Sequence, residues 1–124
     1  MTMKLMIIDD HDGMRGTIRN LISISGDTVR EYGSGDEALP ALAEFKPNCV
    51  TVDISMPGLC PFETMRAIRK AHPLARVICV TSHDLPEYRR AAFDAGASSF
   101  VVKDNLDDLY LLVSTVRLLS VLQL

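Results

Sequence analysis

The segment Leu5-Met6-Ile7-Ile8-Asp9-Asp10 decides the fold of this chain, because an unbroken apolar run ends abruptly at two carboxylates. A run without polar alternation is typical of a strand buried on both faces, as in a parallel sheet covered by helices. Four more short runs rich in β-formers follow along the chain. The predicted strands are residues 5–8, 28–32, 49–52, 77–80 and 99–102.

Stretches with helical spacing separate these strands. Met14, Ile18 and Leu21, for example, fall on one helical face. Strand and helix therefore alternate along 124 residues, a length that suits one domain. The predicted fold class is α/β, a doubly wound, five-stranded parallel sheet with five helices, formed by residues 1–124 as a single domain.

Local signals mark where some helices begin and end. Asp84 and Glu87 fit a capping box, which predicts that Asp84 caps a helix over residues 85–95. Gly96 suits the left-handed position after that helix. Pro40 falls inside the predicted second helix and removes a backbone hydrogen bond there, so we expect that helix to be irregular.

Charge and composition exclude several classes of function. The 13 basic and 16 acidic residues give a net charge of −3, and no run of Lys or Arg provides the basic surface that non-specific nucleic-acid binding needs. We therefore expect no direct nucleic-acid binding by this chain. The apolar run at residues 109–113 is far shorter than the roughly 18 residues of a membrane span, so no membrane association is expected.

The three cysteines, Cys49, Cys60 and Cys79, form no C-x-x-C pair and lack zinc-site spacing. An odd, unpatterned set of thiols indicates a reducing compartment, and we expect the protein to be cytoplasmic. Cys49 and Cys79 lie in apolar runs and are expected to be buried, whereas Cys60 lies in a loop and is expected to be exposed.

Polar side chains follow four of the five predicted strands. They are Asp9 and Asp10 after the first strand, Asp53 after the third, Thr81 after the fourth and Lys103 after the fifth. Because ligands of parallel sheets bind beyond the carboxyl ends of the strands, we expect these groups to converge. Adjacent carboxylates repel one another unless a cation neutralises them, and hard oxygen ligands suit Mg²⁺. The pattern predicts a Mg²⁺ site.

The same groups match the requirements of phosphoryl transfer. Asp53 would act as the nucleophile, Mg²⁺ and Lys103 would neutralise the phosphoryl oxygens, and Thr81 would donate a hydrogen bond. The expected product is an acyl phosphate on Asp53.

Four motifs, in their order and spacing, resemble those of response-regulator receiver domains, the CheY-like family of two-component signalling. They are Met6-Ile7-Ile8-Asp9-Asp10-His11, Val52-Asp53-Ile54-Ser55-Met56-Pro57-Gly58, Val80-Thr81-Ser82 and Gly96-Ala97-Ser98-Ser99-Phe100-Val101-Val102-Lys103. The resemblance covers nearly the whole chain and implies a flavodoxin-like fold. It implies a phosphorelay function in which a sensor histidine kinase phosphorylates the domain. Such a domain is a signalling phosphoacceptor that can catalyse its own phosphorylation and dephosphorylation, and is not classed as an enzyme.

The resemblance assigns a role to each site residue. Asp53 is the phosphoacceptor. Asp10, Asp53 and the backbone carbonyl of Ser55 are implied ligands of Mg²⁺, with Asp9 contacting the metal mainly through water. Lys103 is implied to bind the phosphoryl group.

Two further implied roles concern the output. Thr81 is the switch hydroxyl and Phe100 the switch aromatic residue. Movement of Thr81 towards phosphorylated Asp53 would open space for the Phe100 ring to turn inward, reshaping the face formed by the fourth helix, the fifth strand and the last helix. Phe100 lacks the hydroxyl of the frequent Tyr, so ring burial would carry this change.

Arg15, four residues after His11, and the pair Lys103-Asp104 in place of the commoner Lys-Pro resemble receivers of the NarL/FixJ type, a DNA-binding subgroup. No helix-turn-helix domain follows Leu124, so we expect either a stand-alone regulator or an excised domain. Cys60-Pro61 replaces a common Asp-Gly pair, which predicts a third helix with a poor N-cap and Pro at its first position.

Other interpretations stay open at this point. Asp10-His11-Asp12-Gly13 resembles the D-x-D signature of haloacid-dehalogenase phosphatases, and Asp107-Asp108 could mimic their late acidic pair, although acids also suit the first turn of a helix. A degenerate receiver that binds partners without phosphorylation is a third reading. Taken singly, Asp10 or Asp12 could cap the first helix, Thr81 could be an ordinary strand residue and Lys103 a solvated charge.

The last predicted helix is apolar on two sides. Leu109, Leu112, Val113 and Val116 form one stripe, and Leu111, Leu118 and Leu122 form another. Such a helix needs a second partner beyond its own core. We expect a homodimer or a kinase-docking face there, with a wider groove of the same domain as the alternative.

Overall fold

The five predicted strands form one parallel sheet in the computed structural model, which describes residues 2–55 and 60–122. The strands are Lys4–Ile8 (β1), Thr28–Tyr32 (β2), Cys49–Asp53 (β3), Arg76–Thr81 (β4) and Ser99–Val102 (β5). They pair in the order β2-β1-β3-β4-β5, and every pair is parallel. The predicted doubly wound, flavodoxin-like architecture is confirmed.

Four helical segments connect the strands, and a fifth follows the last strand. They are Asp12–Ile22 (α1), a second segment (α2) described below, Pro61–Ala71 (α3), Pro86–Asp94 (α4) and Asp107–Leu122 (α5). A short 3-10 turn, Lys103–Asn105, comes between β5 and α5. Among the described residues, no helix has both the length and the apolar character that crossing a membrane requires.

The helices cover both faces of the sheet, so the strands are buried on two sides. One core cluster joins the sheet to α2, α3 and α4 through Leu42, Met65 and Ala92. The other joins it to α1 and α5 through residues that include Ile18 and Leu109. This two-sided burial explains why the strands read as continuous apolar runs.

The predicted irregularity of the second helix is confirmed. It consists of the α-helical turn Gly35–Ala38, the 3-10 turn Leu39–Ala41 and the α-helical turn Leu42–Phe45. Pro40 lies in the middle turn, where its missing N–H breaks the α-helical hydrogen-bond pattern. These three turns together are α2.

The predicted capping box at the start of α4 is wrong. Leu85, not Asp84, is the N-cap residue, and no side chain caps the helix. Pro86 occupies the first helical turn, and the residue before a proline is pushed into extended backbone. Leu85 therefore takes the N-cap position, with φ −110° and ψ 138°, and leaves the Asp84 carboxylate outside.

Other helix ends follow the expected chemistry. Gly96 after α4 is left-handed, with φ 103°, and Cys60 before α3 provides no side-chain cap while Pro61 starts the helix. His11, rather than Asp10 or Asp12, caps α1, because its ring nitrogen accepts a hydrogen bond from the Met14 amide at 3.0 Å.

The last helix is apolar on two sides, as the sequence indicates. Leu109 and Val113 are buried against the sheet, whereas Leu111, Leu118 and Leu122 are exposed. The thiols also lie where predicted, with Cys49 and Cys79 buried and Cys60 exposed.

Candidate functional site

Parallel strands bring the predicted polar groups to one edge of the sheet. Asp9 directly follows β1, Asp53 ends β3, Thr81 ends β4 and Lys103 directly follows β5. Because β1, β3, β4 and β5 are consecutive neighbours in the sheet, residues distant in sequence become adjacent there. Asp9, Asp53 and Thr81 are all buried.

Three carboxylates form a cluster at this edge. Asp9, Asp10 and Asp53 each offer an oxygen, and these three oxygens lie within 4.8 Å of one another. Asp9 and Asp53 are buried, and Asp10 is exposed, so one side of the cluster faces solvent. The site is therefore acidic, pre-formed and open on one side.

Lys103 is the cation of the site. Its Nζ lies 2.9 Å from Asp9 Oδ2 and 3.4 Å from Asp53 Oδ2. Burial alone would lower the pKa of Lys103, but the hydrogen bond to Asp9 and the charges of both aspartates outweigh it and raise that pKa. Lys103 is therefore an ammonium that faces the carboxylates of Asp9 and Asp53.

The Asp53 carboxylate is held by two different contacts. Its Oδ1 accepts a hydrogen bond from the Ser55 amide at 3.1 Å, and its Oδ2 faces Lys103. Burial raises the pKa of Asp53 despite these two contacts. Since a buried, partly desolvated carboxylate is a better nucleophile than a fully hydrated one, this environment suits attack on phosphorus.

Thr81 is fully buried at the end of β4, and its Oγ1 accepts a hydrogen bond from the His83 amide at 3.1 Å. A hydroxyl that accepts a hydrogen bond keeps its own hydrogen for donation. Asp53 pairs with Val80 across β3 and β4, which places Thr81 one residue beyond the level of Asp53 on the neighbouring strand.

Of the predicted metal-ligating residues, the structure places Asp9, Asp10 and Asp53 together. Ser55 is exposed beside them, two residues after Asp53. Residues 56–59, which include the end of the second motif (56–58), lie outside the described residues.

The donor set fits a hard divalent cation. Three carboxylates face one ammonium, so two negative charges are left formally unbalanced in a largely buried site. Like charges held this close favour binding of an oxygen-preferring divalent ion such as Mg²⁺.

The D-x-D pair of the phosphatase interpretation is not assembled. Asp12 lies in the first turn of α1, is 91% exposed and pairs with Arg15. Asp107 and Asp108 lie in the first turn of α5, where acids complement the helix dipole. The acidic cluster forms around Asp53 instead.

Two arginines, one at the site and one beside Phe100, make contacts that the sequence did not predict. Arg15 donates to the backbone carbonyl of Asp9, and its Nε lies 3.5 Å from Glu31 Oε1. Arg89 of α4 lies over the ring of Phe100, with 4.6 Å between its Cζ and the ring centroid. None of these contacts has a local sequence signal, because each joins two different secondary-structure elements or the loops next to them.

A five-stranded sheet of this order, with an acidic cluster, a lysine and a hydroxyl at its carboxyl edge, defines the receiver class of signalling domains. The family model of the response regulator receiver domain matches residues 5–114. The chain belongs to this family.

Individual relatives agree with this assignment. The transcriptional activator protein ExaE of Pseudomonas putida is 36% identical over 103 residues, which cover 82% of this chain and 48% of that protein. The BeF3-activated DrrB receiver domain shares the fold, with a TM-score of 0.85, 24% identity, and coverage of 94% of this chain and 97% of that one. The receiver domain of the putative response regulator NarL from Mycobacterium tuberculosis has a TM-score of 0.73 and 28% identity, covering 83% of this chain and 85% of that one.

The resemblance to NarL-type receivers is thus supported. The chain spans about half the length of the curated relatives it matches.

Proposed function

We propose that this chain is a phosphorelay receiver whose Asp53 accepts a phosphoryl group from a sensor histidine kinase in a Mg²⁺-dependent reaction. One observation carries the proposal: Lys103 Nζ lies within 3.4 Å of carboxylate oxygens of both Asp9 and Asp53, two members of the three-aspartate cluster. An ammonium in this position can neutralise an oxygen of a phosphoryl group that is joined to Asp53.

In the proposed transfer, one Asp53 carboxylate oxygen forms a bond to phosphorus. The bond between phosphorus and the imidazole nitrogen of the kinase histidine breaks, and its electron pair leaves with that nitrogen. Lys103 binds one phosphoryl oxygen, and the Thr81 hydroxyl donates a hydrogen bond to another. Attack of water on the phosphorus later releases phosphate and restores the carboxylate.

The proposed metal ligands are the carboxylates of Asp10 and Asp53 and the backbone carbonyl of Ser55, with Asp9 acting mainly through water. Mg²⁺ supplies positive charge to the phosphoryl oxygens and neutralises the carboxylates when bound. Ligand binding to the folded state alone raises stability, so added Mg²⁺ should raise the melting temperature of the wild type. This rise should be smaller in Asp10→Asn.

The experiment that tests the acceptor is intact mass after incubation with acetyl phosphate, with and without Mg²⁺. The wild type should gain one phosphoryl group, about 80 Da, only with Mg²⁺, and Asp53→Asn should gain none. Asp12→Asn is the matched control, since Asp12 is an exposed acid next to the cluster. Absence of any gain would support the degenerate receiver, and turnover of acetyl phosphate without a retained group would support the phosphatase.

Phosphorylation is proposed to act on the face formed by α4, β5 and α5. The added charge of about −1.5 to −2 recruits the Thr81 hydroxyl towards Asp53, and the Phe100 ring turns into the space that Thr81 leaves. Thr81→Ala should keep the mass gain but lose the phosphorylation-dependent change in binding at this face, and Thr81→Ser should restore it. Unchanged coupling in Thr81→Ala would contradict this switch.

The proposed setting is the cytoplasm, where a kinase partner and Mg²⁺ are available. We propose one receiver domain over residues 1–124 and no direct nucleic-acid contact by this chain.

A second copy of the chain is the proposed partner of the exposed side of α5. Arg117 is the only charged residue between 109 and 122, and it is engaged by Asp27. Two copies of the segment 109–122 can therefore meet without repulsion between like charges.

A further inference from the structure

We propose that Arg89 is a positioning residue that holds the Phe100 ring at the protein surface and so sets how strongly phosphorylation changes the α4–β5–α5 face. This inference rests on the proposed function, because it names a regulator of the same switch. The guanidinium of Arg89 covers the Phe100 ring, with 4.6 Å between the Arg89 Cζ and the ring centroid.

Arg89 also contacts the loop that leaves the site. Its Nη2 donates to Asp84 Oδ1 at 2.8 Å, and Asp84 lies three residues after Thr81. His83, the residue before Asp84, donates its amide to the Thr81 hydroxyl and packs its ring edge-on against Tyr88 of α4. Contacts therefore run without a break from Thr81 through this loop and Arg89 to the Phe100 ring.

The position of the ring makes this contact decisive. Phe100 is half-buried and packs against the core cluster under α4, so its ring has both an outer and an inner neighbour. A cation over the outer face stabilises the ring where it is, because the ring quadrupole attracts positive charge. A ring that turns inward loses this attraction. The Arg89 contact therefore contributes to the free-energy difference between the outward and inward ring positions.

A shift of the loop weakens the same contact. The His83 amide is bonded to the Thr81 hydroxyl, and Asp84 is the next residue along the chain. When Thr81 moves towards a phosphorylated Asp53, both residues therefore move with it. Asp84 then no longer fixes the guanidinium over the ring. Arg89 thus couples the two movements, and it does so as an exposed residue of α4 that is paired with Asp84.

The test follows the Phe100 ring by NMR in protein labelled with ¹³C-phenylalanine, with Phe100→Leu to assign its signals. It compares unmodified protein with protein phosphorylated by acetyl phosphate and Mg²⁺. In unmodified Arg89→Met, the ratio of the inward to the outward ring population should rise by about two- to five-fold. This is the change in the ratio that corresponds to the loss of one exposed cation–π contact. Arg90→Met, a neighbouring exposed arginine of α4, should leave the ratio unchanged.

A second variant separates Asp84 from Arg89. Asp84→Asn should raise the inward population less than Arg89→Met does, and it should add nothing in the Arg89→Met background, since Asp84 acts through Arg89. Equal ring populations in Arg89→Met and wild type, or a shift outward, would overturn the proposal. The unmodified arm needs no phosphorylation, so failure of Asp53 to accept phosphate would contradict the proposed function and leave this result standing.

Discussion

At the residue scale, the described part of the core contains one buried hydroxyl without a hydrogen-bond partner. Thr51, in the middle of β3, is buried, and its Oγ1 has no hydrogen-bond partner among the described residues. A buried polar group without a partner costs about 1–3 kcal/mol, because it loses its hydrogen bonds to water. The neighbouring buried residues on its strand, Val50 and Val52, are apolar.

Thr51→Val should therefore stabilise the protein. Valine has nearly the shape of threonine and removes only the unpaired hydroxyl, so we expect the free energy of unfolding in urea to rise by about 1 kcal/mol. Thr64→Val is the matched control, because the equally buried Thr64 hydroxyl donates to the Cys60 carbonyl at 3.4 Å. A gain in Thr64→Val as large as that in Thr51→Val would contradict the explanation.

At the scale of elements, α5 is joined to the loop after α1 by a shielded ion pair. Arg117 Nη2 lies 2.7 Å from Asp27 Oδ2, and the Asp27 side chain has no solvent exposure. Asp27 also accepts hydrogen bonds from the amides of Met3 and Ile24. Burial alone would raise the pKa of Asp27. The hydrogen bonds from Arg117 and from the two amides outweigh burial and lower that pKa from 3.8 to about 2.

This ion pair predicts a pH dependence of stability. A pKa that is lower in the folded state contributes stability above the unfolded value, and the contribution is lost as the pH falls towards the folded value. Asp27→Asn should lower the free energy of unfolding by about 2 kcal/mol at pH 7. The difference in the free energy of unfolding between the wild type and Asp27→Asn should shrink as the pH falls from about 4 to about 2. Urea unfolding at each pH measures it. A difference that stays constant over this range, or an equal effect in the exposed-site variant Asp94→Asn, would argue against the ion pair.

The contact between α2 and α3 requires a glycine. A Cβ atom on Gly35 would overlap the side chain of Thr64, which is buried between these two helices. Gly35→Ala should therefore lower stability by about 1–3 kcal/mol in thermal or urea unfolding. Gly16→Ala in α1 is the matched control: a Cβ there meets nothing within 4 Å, so the better helix propensity of alanine should raise stability by about 0.5–1 kcal/mol.

At the scale of the whole molecule, one side of α5 exposes a group of apolar side chains. On α5, Tyr110, Leu111, Leu118, Val121 and Leu122 are all more than two-fifths exposed. Clustered exposed apolar residues on a helix favour burial against another chain. The proposed second copy would bury them.

Sedimentation velocity over a concentration series, with and without acetyl phosphate and Mg²⁺, measures this assembly. Wild type should dimerise, and Leu118→Ser should raise the dimer Kd by about tenfold or more, from the roughly 1.5–3 kcal/mol that burial of a leucine provides. Leu74→Ser, which changes an exposed leucine outside α5, should have no such effect. A wild type that stays monomeric in both states would remove the dimer.

Sequence by itself determined the five strands, the irregular second helix and the residues at the strand ends. These features are local: apolar runs predict strands, Pro40 interrupts a helix, and the residue after a buried strand is found by counting. The position of Asp53, Thr81 and Lys103 at one edge then follows from parallel pairing alone.

Only the tertiary structure decided which distant side chains meet. The N-cap at Leu85 was decided by the extended backbone before Pro86 and not by the capping-box pattern. The pairs Arg117–Asp27 and Arg89–Phe100 join residues 90 and 11 positions apart in the chain. Such contacts depend on how helices pack against the sheet, and an exposed arginine carries no local sign of the side chain it will cover.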